Sequence, residues 1–241
     1  MNGARPANFP TTSWSLVIAA AANPTDDSRA SLATLCRIYW QPIYAFVRRK
    51  GYDTDQAQDL TQAFFTAMLE KNYLGDADRE RGRFRAFLLA AVKHFLANEW
   101  DRAHALKRGG DRVAVPIDPI EAEAWYVPEA VEARTPESFF ERRWALSVLE
   151  QVMAKLRTEW AGMGKREYFD KLSPWLDGDP EANRYDALAA ALGGTPGALR
   201  TAVHRMRRRY RELLRAEIAE TVASAAEIDD EIRFLLSALR S

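Results

Sequence analysis

The chain is short of cysteine, of histidine, of net charge and of long apolar runs, and each shortage removes a class of protein. Its single cysteine, Cys36, excludes an intramolecular disulfide and fits a reducing compartment. Cys36 lies in an apolar stripe and reads as a small core residue. The three histidines, at positions 94, 104 and 204, form no His-x-x-x-His pair, and no Cys-rich ligand spacing appears. Lysine plus arginine and aspartate plus glutamate number 34 each, so the chain as a whole is no basic coat for nucleic acid. No run approaches the roughly 18 apolar residues of a membrane span. Residues 17–22 are apolar but lack a basic flank and are too short for a signal peptide. These features predict a cytoplasmic protein with no membrane partner. Nor is there a Gly-rich phosphate loop or a Gly-x-Ser-x-Gly elbow. Asp53, Asp55 and Asp59 are spaced to cap and decorate a helix rather than to converge on a cation. No catalytic residue, cofactor or metal is expected.

What is present is helical periodicity. Hydrophobic residues make up 47% and charged residues 28% of 241 residues, enough for one large or two small domains of about 100–150 residues each. No alternating strand pattern and no internal repeat is evident. A polar tail with Pro6 and Pro10 leads to a short helix near Trp14. Residues 28–49 carry Leu32, Leu35, Tyr39, Ile43 and Val47 at helical spacing, and Pro42 predicts a kink or break. Asp53 or Thr54 caps a second helix with Ala57, Leu60, Phe64 and Met68 inward. A third covers 82–103, with Phe84, Leu88, Val92 and Phe95 on one face. Residues 113–136 hold four prolines, several acids and no sustained period, which reads as a linker. A long helix resumes at 136–160, a short helical piece follows at 168–176, and an amphipathic helix closes the chain at 227–239.

Charge is segregated where the total is neutral. Residues 79–112 carry nine lysines and arginines against four acids, whereas 118–141 and 217–231 are acidic. Residues 184–215 carry eight arginines against Asp186 and Glu212. A short apolar helix over 185–192 ends at Gly193-Gly194, glycine being the residue that enters a tight inter-helix turn most cheaply. Thr195 caps the next helix, and Pro196 suits its first position. Leu199, Val203, Met206, Tyr210 and Leu213 then mark one face, with Gly197, Thr201, His204, Arg208, Arg211 and Arg215 opposite and Arg200, Arg205, Arg207 and Arg209 on the flanks. An amphipathic helix with this bias of guanidiniums is suited to approach phosphates.

These blocks together resemble a family. Tyr39-Trp40-Gln41-Pro42-Ile43-Tyr44-Ala45-Phe46, Asp59-Leu60-Thr61-Gln62-Ala63-Phe64-Phe65 and Gly82-Arg83-Phe84-Arg85-Ala86-Phe87-Leu88 are similar, in order and spacing, to region 2 of the bacterial sigma factors of RNA polymerase. Leu188-Ala189-Ala190-Ala191-Leu192-Gly193, Gly197-Ala198-Leu199-Arg200 and Arg205-Met206-Arg207-Arg208 are similar to region 4. The chain resembles the small extracytoplasmic-function group that keeps only these two regions. The resemblance implies an all-α protein of two helical domains joined by a linker, the second a helix-turn-helix. Its parts are a tail and short helix over 1–27, a region 2-like domain over 28–112, a linker over 113–138, a region 4-like domain over 139–215, and a helical extension over 216–241.

The implied function is promoter recognition and transcription initiation in complex with core polymerase, in association with the nucleoid. The competing reading is a helix-turn-helix transcriptional regulator that never binds polymerase. In the second helix of a helix-turn-helix the first turns meet base edges. Thr195, Gly197, Arg200, Thr201 and His204 are therefore placed nearest the upstream element, with Arg205 and Arg208 on phosphates. For the downstream element the candidates are Arg83, Arg85, Lys93, His94, Asn98, Arg102, Lys107 and Arg108; many family members carry Asn and Asp where His94 and Asn98 stand. Asp55, Gln58, Asp59 and Gln62 would meet the coiled coil of the polymerase's largest subunit. Thr61 is a candidate phosphosite, because a phosphate there would add charge facing a basic partner. Candidate regulators are an anti-sigma factor and a Ser/Thr kinase. The apolar stripe of the last helix must bury on the helix-turn-helix, on the first block or on a regulator.

Overall fold

The computed structural model describes residues 26–70, 83–105, 135–176, 182–192, 194–222 and 224–240. The tail, the helix expected near Trp14, most of the linker, and Lys107 and Arg108 lie outside the described residues, as does the side chain of Cys36. Among the described residues every regular element is helical and no strand occurs, so the all-α expectation holds. The elements are α1 (Asp26–Arg49), α2 (Thr54–Glu70), α3 (Phe84–Ala105), α4 (Pro136–Gly162), α5 (Arg166–Leu172), α6 (Ala182–Leu192), α7 (Pro196–Ala219) and α8 (Ile228–Arg240). Short 3-10 turns, Ser173–Trp175 and Ala225–Glu227, precede α6 and α8. No described helix is long and apolar enough to cross a membrane.

Local chemistry explains the boundaries. The Asp53 carboxylate accepts the Gln56 backbone N–H at 2.8 Å, and the Gln56 side-chain oxygen accepts the Asp53 N–H at 3.4 Å. This reciprocal pair satisfies N–H groups that the first turn of α2 leaves without helical partners. α4 and α7 open alike, on Thr-Pro: the Thr135 hydroxyl accepts the Ser138 N–H and that of Thr195 accepts the Ala198 N–H, both at 3.2 Å. α1 stops at Gly51, whose φ of 96° only glycine adopts without strain. Of the kink or break expected at Pro42 the break does not occur; the helix is continuous through it. The flanking residues from Ile38 to Val47 are almost all buried, so tertiary packing outweighs the missing hydrogen bond.

The chain divides into two compact units, Met1–Ser147 with Ile218–Ser241, and Val148–Glu217. In the first, Tyr39 and Phe46 of α1, Phe64 and Met68 of α2, Phe84 and Leu88 of α3 and Trp144 of α4 are all buried. Edge-to-face pairs join Tyr39 to Phe84 at 5.3 Å and Phe64 to Phe95 at 5.6 Å. The last helix belongs here: α8 buries Leu235 and Ala238, and Phe234 lies 6.2 Å from the Trp144 ring. That answers where its apolar stripe goes. In the second unit, Trp160 of α4, Phe169 of α5, Tyr185 of α6 and Leu199, Val203 and Met206 of α7 form the core, each such side chain adding about 1.5–3 kcal/mol when fully buried.

Candidate nucleic-acid interface

α7 shows the sharpest division of faces. Leu199, Val203, Met206 and Leu213 are buried, while Gly197, Arg200, Thr201, His204, Arg205, Arg208, Arg211 and Arg215 are exposed. The exposed arginines are not equivalent to their neighbours in sequence. Arg209 donates through Nε and a terminal nitrogen to both carboxylate oxygens of Glu159, at 2.8 and 2.6 Å, fastening α7 to α4 within the second unit. Arg207 donates to the Trp175 carbonyl at 2.8 Å. These two serve the fold. Arg208 makes only a surface pair with Glu212, at 3.0 Å, one turn along its own helix. Arg200, Arg205 and Arg211 form no ion pair among the described residues. Arg200 lies over the Tyr185 ring of α6, 5.1 Å from its centre, which orients the guanidinium at the start of α7. Arg205 lines a groove of about 720 Å³ with Trp160, Tyr168 and Met163. The Thr201 hydroxyl donates to the Gly197 carbonyl at 3.0 Å, and Thr195 is occupied as the cap.

The second set of candidates lies on and beside α3. His94, Asn98 and Arg102 are exposed along one face, with Arg102 paired to Glu99 at 3.0 Å. Lys93 pairs with Glu137 at 2.8 Å. Trp100, which the periodicity did not single out, is 57% exposed and borders a groove of about 580 Å³ with Lys50, Tyr52 and Lys93. Its spacing of four from Leu96 and eight from Val92 reads as a core position, so only its exposure reveals it. Arg85 stands apart from this face. It is buried, bonded to Glu231 and 3.6 Å from Glu141, so it is not a surface contact for DNA in this conformation. Arg83 is half-buried and also bonded to Glu231.

Asp55 and Asp59 are exposed on α2, with Gln58 and Gln62 half-buried. The Gln62 amide nitrogen is buried without a hydrogen-bond partner, so that side chain does not point outward as the sequence reading required. Thr61 corrects the phosphosite expectation. It is fully buried, and its hydroxyl donates to the Ala57 carbonyl at 2.6 Å, inside the α2 packing face where no kinase can reach it.

Neither family models nor curated proteins nor solved structures yield a match to this chain.

The carboxylates tied to arginine give the second unit a pH signature. Hydrogen bonds from Arg209 hold the Glu159 carboxyl below its ordinary value of 4.5, and bonds from Arg208 and then Arg209 do the same for Glu212. A carboxyl whose pKa is lower in the folded state takes up protons more readily when unfolded, so its stabilisation is complete above 4.5 and lost as pH falls through the folded value. In the first unit the effects oppose: a hydrogen bond from Lys93 lowers Glu137, whereas burial raises Glu141. Acid is therefore expected to loosen the fastening of α7 to α4 in the second unit. Glu159→Gln should lower its melting temperature at neutral pH and flatten the decline below pH 4.5, as read by circular dichroism melts across pH.

Proposed function

We propose that the protein is a sigma factor of the extracytoplasmic-function type, which binds core RNA polymerase and directs it to promoters. One observation carries this reading: α7 keeps a continuous exposed face of Arg200, Thr201, His204, Arg205 and Arg208 over a fully buried apolar stripe, directly after a short helix and a Thr-Pro cap. On this reading α6 and α7 are a helix-turn-helix, with Arg200 at base edges and Arg205 and Arg208 on phosphates. The exposed Trp100 beside Lys50 and Lys93 supports a second contact with opened strand, since a ring stacks on any base and the lysines answer its backbone charge. Asp55 and Asp59, exposed on α2, are the acids that would meet a basic polymerase surface. The upstream and downstream contacts would then belong to two domains.

The reading is tested by adding the purified chain to core polymerase and transcribing a promoter library in vitro. Initiation from a defined subset of promoters, together with retention of core on the immobilised chain, is expected. DNA binding with no retention of core and no initiation would instead make it a helix-turn-helix regulator.

A further inference from the structure

Glu231 of α8 is a fully buried carboxylate that meets two guanidiniums from the start of α3. Arg83 reaches one oxygen at 2.9 Å and Arg85 the other at 2.6 Å. The Arg85 guanidinium also lies 3.5 Å over the centre of the Phe234 ring, one turn further along α8. The same turn of α3 is held a second time, where the Phe84 N–H donates to the Thr221 carbonyl at 3.4 Å. α8 thus takes up Arg83 and, together with Glu141 of α4 at 3.6 Å, Arg85, two arginines of the basic block. Its own hold is partial: α8 fully buries Glu231, Leu235 and Ala238, Ile228, Ile232, Phe234 and Leu239 are half-buried, and Leu236 is exposed. Elements with few buried apolar contacts are the first to open. The ion pairs to Glu231 also form with the kind of group for which phosphate oxygens compete most directly.

We infer that α8 is an intramolecular latch that withdraws Arg83 and Arg85 from nucleic acid, and that its release raises the affinity of the protein for DNA. The inference rests on the DNA-binding reading above. With α8 docked, the described part of the basic block presents Lys93 and Arg102 but not Arg83 and Arg85. With α8 released, two guanidiniums become available to phosphates nine and eleven residues before His94, where the His94 and Asn98 face begins.

The test uses the full chain and fluorescence anisotropy with a labelled duplex of random sequence, titrated from 50 to 200 mM salt. Glu231→Gln keeps the size and shape of the side chain and removes the charge that holds both arginines. It is expected to bind more tightly at low salt. Two added phosphate contacts should make it lose about tenfold more affinity than the unmodified protein across that salt range. Adding Arg85→Ala to Glu231→Gln should remove part of that gain. Phe234→Ala in the otherwise unmodified chain removes the ring that α8 lays against Arg85 and Trp144 and leaves every charge in place, so it should also tighten binding and steepen the salt slope. A folded Glu231→Gln protein with unchanged affinity and salt slope would overturn the latch, and so would unchanged binding by Phe234→Ala. The latter measurement decides alone should Glu231→Gln fail to fold. If no form of the protein binds DNA, the proposed function falls and the latch with it.

Discussion

Thr61→Glu is expected to unfold the first unit rather than to mimic a phosphorylated, active form. The side chain it replaces has no exposed surface, and the hydroxyl hydrogen is spent on the Ala57 carbonyl one turn back. Ala57 is itself fully buried, and Phe64 and Phe65 follow within the same packed helix. A glutamate at this place must either bury an unpaired carboxylate or carry α2 off the core. Burying even a neutral polar group without a partner costs about 1–3 kcal/mol in proteins, and an isolated charge costs far more. The whole stability of a domain is about 5–15 kcal/mol, so the substitution takes most or all of it. Thr61→Val loses one hydroxyl bond and keeps the shape, at a cost of about 1 kcal/mol. Urea denaturation followed by circular dichroism separates the two variants. A cooperative transition for Thr61→Glu close to that of the unmodified chain would show that the side chain is not enclosed as described.

Thr61 shows which parts of this molecule a sequence can reveal. Helix spacing, caps and punctuation act over a few residues, and they were largely legible: the cap at Asp53, one of two candidates with Thr54, the Thr195 cap before Pro196, and the stripe of Leu199, Val203 and Met206 all lie where local rules put them. What was hidden depends on partners far along the chain. Thr61 stands beside Gln62 on a helix with exposed acids, and its burial follows from how α2 packs rather than from its neighbours in sequence. Arg85 reads as one cation among nine in a basic block, yet Glu231, 146 residues away, removes it from the surface. Arg209 reads like Arg208 beside it, but Glu159, 50 residues back, turns it into a clamp. Pro42 works in the other direction, since of the kink or break that a local rule forecast, the buried flanks of α1 suppress the break. Short-range chemistry was readable, and the allocation of long charged side chains between fold and surface was not.

That allocation makes a sharp experiment possible on α7. The double variant Arg205→Ala, Arg208→Ala is expected to weaken binding to every DNA sequence alike, with a salt slope shallower by about 1.8, because each lost phosphate contact removes about 0.9 from it. Both side chains are exposed, and solvent screens the surface pair of Arg208 with Glu212, so the second unit should stay folded. Arg200→Ala is expected to act differently. This guanidinium is oriented over Tyr185 at the first turn of the helix, and an arginine that reads guanine there would contribute about 1–3 kcal/mol of discrimination, or about 5–150-fold between preferred and substituted sites. Anisotropy against a set of duplexes that differ one base pair at a time resolves preference from overall strength. Arg209→Ala is the matched control: it breaks the bidentate bond to Glu159 and should lower the melting temperature of the second unit without altering preference. Equal losses on all sequences from Arg200→Ala would assign that residue to the phosphates as well. The base-reading role would then pass to Thr201 and His204, the remaining exposed side chains of the first turns that can reach a base edge.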